Sequence, residues 1–460
     1  MPTKTLLICS PSFALRGGVE SIINDLCREL PHLGWNVVLG LGKGSRFNDV
    51  SKYRQTYPDL PIVEIDGTRG TRLSRVAALK TVIRKINPAI VLSARVYDTY
   101  AAVNELKTDN GSPRLAITIQ SYEPHYFYDA RSFRESVDLC VAAGNMIQAA
   151  ATNWSGLPVD RVVSIPSVVR PPNRTTSPRR LGDQIRIGYV GRLDQSDKRI
   201  LDLVPLIKHL ERLGLAYHFR VVGDGPDRIS LIEDIGSEIA LGRVQFLGWK
   251  DHAHLYEHVY PELDCVVNFS PAEGVSVVGG EAMAHGVVPV FSEFIGIKTE
   301  GQYLNEINCL TFPVGDVDRA ARNIQRLGTE PGLLTRLSRE AAVRMHKGRY
   351  SFKDVMSAWA GSLDHCLEQS PRNGTMPDLG LPADGRLTRI GLPPATAQRV
   401  RDLMGRKYRH NDPGSEWPSG SGLMTEEAAK EVLQFGRSHE KKNEVRNRSD
   451  FIPSLSLGCL

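Results

Sequence analysis

The sequence predicts an α/β fold with two Rossmann-like domains facing a central cleft, followed by a largely irregular C-terminal tail. Three observations predict this fold. Short apolar segments alternate with helical patterns over about the first 350 residues, one Pro-rich polar segment interrupts the alternation, and apolar periodicity fades from about residue 370. Strands that alternate with helices favour a parallel sheet covered on both faces.

The first predicted domain spans residues 1–168. Its buried strands are predicted at Lys4–Cys9, Asn36–Gly40, Ile62–Ile65, Ala89–Ser93, Leu115–Ile119 and Leu139–Ala142. Amphipathic helices are predicted at Val19–Leu30 and Thr71–Ile86. The second helix has a basic side and an apolar side, which is typical of a helix docked on a sheet. Its basic residues are Arg72, Arg75, Lys80, Arg84 and Lys85, preceded by Arg69, and its apolar residues are Leu73, Val76, Ala77, Ile83 and Ile86. Contact of the basic side with anionic lipid is an alternative.

The second predicted domain spans residues 183–350, after a Pro-rich polar linker that begins at Pro166. Its strands are predicted at Ile185–Val190, Phe219–Val222, Val244–Leu247, Cys265–Phe269 and Val287–Phe291. A cleft between two such domains is the default place for a ligand. Residues 351–370 are predicted to form a further helix.

The predicted tail, residues 371–460, is rich in Pro, Gly, Asn and Arg, and most of it is expected to be irregular. One helix is predicted from Glu426 to Phe435, with Thr425 as N-cap and Gly436 as its end. The basic residues after it are interpreted as a solvated charge run, and a partner- or membrane-binding segment is the alternative.

The composition excludes several classes of protein. The 460 residues carry a net charge of +5, too mild to demand nucleic acid or membrane as a partner. The seven cysteines are scattered without a Cys-x-x-Cys pair, which favours buried reduced thiols over disulfides or a zinc site. No apolar segment is long enough for a signal peptide or a membrane span. A cytoplasmic protein is therefore expected, either free or at the inner face of the membrane.

The most informative segment joins the strand at Cys265–Phe269 to the strand at Val287–Phe291. Glu273 follows the first strand, where ligands bind in open α/β sheets. Glu281 comes eight positions after Glu273 and is expected in the first turn of a short helix. The intervening Gly274, Val275, Ser276, Val277 and Val278 expose backbone amides at the start of that helix, which suits a phosphate. One carboxylate can then accept hydrogen bonds from sugar hydroxyls and the other from ribose hydroxyls.

This segment resembles the Glu-x7-Glu signature of glycosyltransferase family 4, a large family of retaining enzymes with the GT-B fold. The resemblance extends over about residues 5–368. It implies a nucleotide-sugar donor as a substrate, a glycan, lipid-linked or small-molecule acceptor held by the first domain, no metal and no other cofactor. It also implies that the helix at 351–370 crosses back to the first domain.

A second motif is Gly191-Arg192-Leu193, which ends the strand at Ile185–Val190 and is followed by Lys198. Lys198 is expected at the start of the next helix. Two fixed cations there would neutralise a diphosphate and stabilise the charge that develops as the sugar bond breaks. The resemblance implies this role for Arg192 and Lys198; surface cations are the alternative.

Further donor contacts are expected at strand ends, because glycine allows the backbone to approach a ligand closely. Gly223 ends one strand, and Trp249 lies after another, near the expected nucleobase. Gly17 and Gly18 follow the first strand, and the resemblance implies that their amides face the donor phosphate. Ordinary turns would explain the same glycines. A full Gly-x-Gly-x-x-Gly pattern is absent, which argues against a nicotinamide enzyme.

One departure concerns the reacting centre. Many family members have a histidine after the strand that corresponds to Leu115–Ile119, whereas this sequence has Gln120 there and His125 further on. Either Gln120 takes that place or His125 reaches in from a shifted loop. Because of this departure, a non-catalytic nucleotide-sugar-binding protein stays open beside the retaining transferase, as does another GT-B enzyme such as a sugar-nucleotide epimerase or an inverting transferase.

Two pairs of residues could suggest a metal site. Glu281 and His285 have helical spacing but lack a third ligand. Asp316 and Asp318 match an Asp-x-Asp pattern, yet they open a predicted helix, so Asp316 is interpreted as an N-cap. No metal is predicted.

Overall fold

The structure, a computed structural model, describes most of the chain. The described residues are 4–12, 18–44, 47–107, 112–167, 169–173, 183–374, 392, 396, 400, 403–404 and 416–450. They form two compact units. Unit 1 comprises the described residues within Met1–Ala143, Ile147–Ile165 and Met356–Phe435, and unit 2 comprises those within Gly144–Met146, Pro166–Val355 and Gly436–Leu460.

Unit 1 contains one parallel sheet. Its strands are β1 (Thr5–Pro11), β2 (Asn36–Lys43), β3 (Ile62–Asp66), β4 (Ile90–Ser93), β5 (Arg114–Ile119), β6 (Leu139–Ala142) and β7 (Val162–Ser164). The order across the sheet is β3-β2-β1-β4-β5-β6-β7, and every neighbouring pair is parallel. The order reverses between β1 and β4, so the default ligand site of this sheet lies at the carboxyl ends of those two strands.

The first helices of the chain connect these strands. They are α1 (Gly18–Glu29), α2 (Val50–Thr56), α3 (Arg72–Ile86), α4 (Asp98–Asn104), α5 (Pro124–Ser132) and α6 (Asn145–Asn153). Helix α3 begins with a capping box, in which the Thr71 hydroxyl accepts from the Ser74 amide and Ser74 reciprocates. Arg75 departs from the predicted basic side: it is buried and forms an ion pair of 2.5 Å with Asp98.

Unit 2 contains a second parallel sheet. Its strands are β8 (Ile185–Val190), β9 (Tyr217–Val222), β10 (Val244–Gly248), β11 (Cys265–Asn268), β12 (Val288–Ser292) and β13 (Leu310–Phe312), in the order β10-β9-β8-β11-β12-β13. The order reverses between β8 and β11. Strands β7 and β13 were not predicted, because three residues each give too short an apolar pattern.

The next helices cover both faces of the second sheet. They are α7 (Gln195–Lys198), α8 (Leu203–Arg212), α9 (Arg228–Asp234), α10 (Gly236–Ala240), α11 (His252–His254), α12 (Val277–Ala284), α13 (Val317–Thr329) and α14 (Leu333–His346). The following helix, α15 (Phe352–Glu368), belongs to unit 1 from Met356 onward, and its Asp364 forms an ion pair with Lys4 at 2.8 Å. Successive strand residues point to opposite faces. Val267 accordingly packs in one cluster with α8 and α13, whereas Val266 packs in another with α12 and the end of α14. The prediction of two Rossmann-like α/β domains is confirmed.

The helix predicted in the tail is longer than expected. Helix α16 runs from Glu426 to Asp450, and the Thr425 hydroxyl caps it by accepting from the Ala428 amide at 3.2 Å. The predicted end at Gly436 is wrong, since a single glycine inside a helix costs only about 1 kcal/mol. Trp417, ahead of this helix, is fully buried.

The described residues also bear on the predictions about the cysteines and about membrane spans. Six cysteines are buried free thiols, as predicted, and Cys459 lies outside the described residues. Within the described ranges, every helix is too short or too polar to pass through a lipid bilayer.

Candidate donor site

The candidate site lies at the carboxyl ends of β8 and β11, where the strand order of unit 2 reverses. Arg192 follows β8 after one residue, and Glu273 follows β11 after a short turn. Because parallel strands present their carboxyl ends on one edge, the two loops are neighbours. This edge is the expected place for a ligand in a sheet of this kind.

Lys198 and Glu273 form the centre of the site. The Lys198 Nζ lies 2.8 Å from the Glu273 Oε1, and the Asn268 amide donates to the same oxygen at 3.2 Å. Burial disfavours charge on both side chains. The neighbouring carboxylates of Glu273 and Asp197 nevertheless hold the pKa of Lys198 above its ordinary value, and Lys198 holds the pKa of Glu273 below its own. The site thus holds a fixed cation and a fixed carboxylate side by side.

Arg192 supplies a second cation next to this pair. Its guanidinium is 2.5 Å from the Asp197 carboxylate, which is also 3.9 Å from the Lys198 Nζ. The Tyr189 hydroxyl donates to the Arg192 carbonyl at 2.7 Å and fixes the loop, while 61% of the Arg192 side chain stays exposed. One expectation is corrected: Lys198 ends the single turn α7 rather than starting a helix, because Asp194 caps that turn four residues earlier.

Helix α12 begins directly beside Glu273. Gly274 and Val275 are buried, Ser276 is the N-cap, and the amides of Val277 and Val278 belong to the first turn. The Ser276 hydroxyl accepts from the Gly279 amide at 3.2 Å. A helix N-terminus beside two cations favours an anion.

Glu281 has a separate set of partners. It lies in the second turn of α12, not the first as predicted, because the helix starts only at Val277. Its buried carboxylate accepts from the Tyr260 hydroxyl at 2.5 Å, and the His252 Nε2 is 2.7 Å away. Sequence reasoning missed Tyr260 and His252. The nearest signal was the Gly248-Trp249 strand end, three residues before His252.

The glycines at the strand ends serve packing. Gly223 has φ +141°, and a Cβ there would lie 1.8 Å from the Gly191 carbonyl oxygen, so no larger residue fits. Gly191 and Gly223 therefore bring the ends of β8 and β9 into direct contact. Trp249, at the end of β10, is 37% exposed.

The candidate residues of unit 1 form a different neighbourhood. Gly17 lies outside the described residues, and Gly18 is the first residue of α1 rather than part of a loop. His125, the second residue of α5, is 3.6 Å from Glu123, and burial lowers its pKa. The Gln120 amide donates to the Thr118 hydroxyl.

The pairs considered for a metal have other partners. The His285 Nδ1 lies 2.7 Å from the backbone carbonyl of Glu281, not from its carboxylate. Asp316 caps α13 by accepting from the Arg319 amide at 2.9 Å, as predicted, and Asp318 pairs with Arg322. Among the described residues, no three His, Cys, Asp or Glu side chains are grouped closely enough for a metal ion.

Comparisons with known proteins agree with this fold. Residues 184–330 match the family model described as glycosyl transferases group 1. EpsF of Bacillus subtilis, which carries a provisional glycosyltransferase name, is 30% identical over 118 residues. That match covers 26% of this chain and 30% of EpsF, so the chain spans about a third of the relative it matches.

Solved structures match over a much larger part of the chain. HepE of Anabaena, in complex with UDP, is 14% identical with a TM-score of 0.63, covering 79% of this chain and 100% of HepE. The lipopolysaccharide outer core galactosyltransferase WaaB has 15% identity and a TM-score of 0.61, covering 78% and 99%. Sucrose-phosphate synthase of Thermosynechococcus elongatus has 19% identity and a TM-score of 0.65, covering 79% and 99%.

The solved structures and the family model match different lengths of the chain. The structural likeness extends over most of the chain, and the family model matches a part of unit 2 that holds Lys198, Glu273 and Glu281. The chain thus has the fold of GT-B glycosyltransferases, with the group 1 sequence pattern in the unit that contains the candidate donor site.

Proposed function

We propose that this protein is a glycosyltransferase that moves a sugar from a nucleotide-sugar donor to a hydroxyl group of an acceptor. Unit 2 binds the donor, and unit 1 binds the acceptor. One observation carries the proposal: the Lys198–Glu273 ion pair lies at the reversal of strand order, with Arg192 nearby and the N-terminus of α12 beside it. Cations and backbone amides at one point suit a diphosphate, and a carboxylate next to them suits sugar hydroxyls.

Each side chain then has a role in the reaction. Arg192, Lys198 and the first amides of α12 neutralise the diphosphate, Glu273 orients the sugar, and Glu281 accepts from the ribose hydroxyls. The bond between the anomeric carbon and the diphosphate oxygen breaks, and its electron pair leaves with the diphosphate. The acceptor oxygen bonds to the anomeric carbon from the same face, so the anomeric configuration is retained. The departing phosphate takes the proton of the acceptor hydroxyl. Catalysis depends on charge stabilisation and on positioning.

The donor class can be tested by binding. HepE was solved in complex with UDP and with UDP-glucose, so a UDP-sugar is the first donor to try. A ligand at 100 times its Kd stabilises the folded state by about 2.7 kcal/mol, enough for a clear rise in Tm. We expect one nucleotide sugar of a panel to raise the Tm with and without EDTA, because the proposed site uses cations of the protein instead of a metal.

The reaction can be tested on Arg192. Arg192→Ala should lower donor hydrolysis and transfer by about 100-fold, since one charge-stabilising donor typically contributes that much. Arg339→Ala removes an equally exposed arginine of unit 2, from α14, and should leave turnover unchanged. Wild-type turnover in Arg192→Ala would remove the role given to Arg192. NMR of the product anomer tests retention, and inversion would reject that part of the mechanism.

A second candidate is a nucleotide-sugar-binding protein without transferase activity. It is favoured by the place of His125, whose Nε2 faces the Ser419 hydroxyl at 3.4 Å instead of open space. Donor binding by calorimetry without hydrolysis or transfer to glycan and lipid-linked acceptors would support it.

A further inference from the structure

The carboxyl edge of the unit 1 sheet is crossed by a segment from the C-terminal part of the chain. We name residues Glu416–Ser421 the strap. At its start, the buried Glu416 carboxylate accepts from the backbone amides of Phe47 and Asn48 at 3.0 and 3.2 Å. Those residues follow β2, so the strap begins at the carboxyl end of that strand.

Trp417 anchors the strap. Its side chain is fully buried, and its Nε1 donates to the carbonyl of Lys43 at 3.1 Å. The ring occupies space that only glycine leaves open: a Cβ on Gly42 or on Gly67 would lie 2.5 Å from a ring atom. These glycines stand at the ends of β2 and β3, so the tryptophan is built into the edge of the sheet.

The strap then reaches β4 and β5. The Pro418 carbonyl accepts from the Tyr97 amide at 3.1 Å, in the loop after β4. The Ser419 hydroxyl is 3.4 Å from the Nε2 of His125, and the Ser421 amide donates to an oxygen of the buried Asp129 carboxyl group at 3.0 Å. His125 and Asp129 both lie on α5, which follows β5.

The path of the strap crosses the ligand-binding end of the sheet. From β2 to β5 there are three strand spacings, or about 14 Å. Six extended residues span about 20 Å, enough to cover that distance. The reversal of strand order lies midway, between β1 and β4, and two charged residues of that region, Glu20 and Arg95, are 3.4 Å apart.

The contact with His125 is close. A Cβ on Gly420 would lie 2.8 Å from the His125 Cδ2 and 2.9 Å from the Asp129 Oδ2. The Ser419 hydroxyl, 3.4 Å from the Nε2 of His125, stands on the side of the imidazole that the strap covers.

We propose that the strap is a wall of the acceptor site, and that Ser419 and Gly420 select which hydroxyl compounds reach His125. The inference rests on the proposed function, in which unit 1 binds the acceptor. Because Gly420 packs against both His125 and Asp129, a bulky acceptor would have to displace the strap backbone, whereas a narrow hydroxyl compound would have to displace only the Ser419 side chain. The selected acceptor is therefore a compound with a slender, hydroxyl-bearing end.

The test uses Gly420→Ala in the full chain. The added methyl group should lift the strap from His125 while Trp417 keeps it attached. With the donor that raises the Tm most, we expect transfer to a p-nitrophenyl glucoside to rise at least fivefold relative to transfer to glycerol. Hydrolysis, with water as the acceptor, should rise about threefold, and the donor KM should not change. Ser419→Ala should raise hydrolysis in the same direction.

Two further measurements keep the result interpretable. Hydrogen exchange at the Ser421 amide should quicken in Gly420→Ala, while the fluorescence of Trp417 stays that of a buried ring. Gly361→Ala adds the same methyl group to open space on α15, so it should change neither the exchange rate of the Ser421 amide nor the fluorescence of Trp417. The strap inference alone is overturned if Gly420→Ala lifts the strap and keeps the donor KM, yet changes neither hydrolysis nor the ratio of transfer to the glucoside and to glycerol. Loss of donor binding in the wild type overturns the proposed function, and the strap inference with it.

Discussion

Replacing Lys198 by methionine tests the charge arrangement most directly. The Lys198 side chain is 22% exposed and lies 2.8 Å from Glu273, so the substitution removes one fixed cation and leaves a carboxylate without its strongest partner. Methionine keeps the length of the side chain and its packing. The substitution therefore affects catalysis and stability by separate physical causes.

In the proposed reaction, the effect on catalysis follows from the charge that develops on the diphosphate. Two unit charges 4 Å apart interact with about 4 kcal/mol at an effective dielectric constant of 20. Loss of one positioned donor in other enzymes lowers kcat by about 100- to 1,000-fold. We expect Lys198→Met to lower kcat within that range. The donor KM should also rise, because the uncompensated Glu273 repels the diphosphate.

The effect on stability is smaller. A hydrogen bond to a charged group contributes about 2 kcal/mol, which corresponds to a fall in Tm of about 4–8 °C for a unit of this size. Adding Glu273→Gln should restore part of the Tm and of the donor KM, but not kcat. The control is Arg243→Met, which breaks an ion pair with Glu211 at the amino end of β10, on the opposite edge of the sheet.

The assay is steady-state kinetics of donor hydrolysis with thermal unfolding of the same preparations. A kcat of Lys198→Met within threefold of the wild type would refute the role of the cation, whatever the Tm. A large loss of kcat that Arg243→Met reproduces would also refute it, because the cause would then be general damage to unit 2.

Three further predictions concern other parts of the chain. His252→Gln removes a partner of Glu281, so the donor KM should rise about tenfold while kcat stays nearly unchanged. A tenfold rise corresponds to about 1.4 kcal/mol of binding free energy. A fall in kcat without a rise in KM would contradict the role of Glu281 in ribose binding. Burial raises the pKa of Asp129 from 3.8 to about 7. Between these two values the folded state holds a proton that the unfolded state has lost. The free energy of unfolding should therefore fall by up to about 4 kcal/mol as the pH rises from 4 to 7. Urea denaturation at pH 5 and 8 should show a weaker pH dependence in Asp129→Asn, and an unchanged slope would contradict this. Gly223→Ala should cost about 3 kcal/mol or more, because its Cβ would collide with the Gly191 carbonyl, and an unchanged Tm would reject the packing argument.

The fold could be predicted because its signals are local. Each long strand is an apolar segment followed by a helical pattern. Ten of the eleven predicted strands start within one residue of the observed start, and the strand predicted to start at Phe219 begins two residues earlier, at Tyr217. Arg75 could also have been placed correctly. It is four residues before Leu79, which is buried on the same stripe of α3, so spacing alone indicated that this arginine faces the protein.

The contacts of the site were harder to predict, because they join residues that are far apart in the sequence. Glu273 and Lys198 are 75 residues apart, but each belongs to a motif that marks it. His252 and Tyr260 belong to no such motif, so their approach to Glu281 required the structure. The strap is the extreme case: Ser419 and His125 are separated by 294 residues, and no periodicity in a Pro- and Gly-rich segment indicates what it will contact.

The two glutamates of the Glu-x7-Glu pattern are compensated in different ways, and this difference has a consequence for the order of binding. Glu273 is balanced by a cation, whereas Glu281 is held by the Tyr260 hydroxyl and the imidazole of His252. In the proposed reaction, the diphosphate of the donor competes with Glu273 for Lys198, because both are anions that need the same ammonium group. On that proposal, Glu273 exchanges its lysine partner for sugar hydroxyls only when the donor is in place. Glu281 would make no such exchange with a cation and would receive the ribose first. The sugar end of the site would then be completed by the donor itself, so the acceptor should bind productively only after the donor.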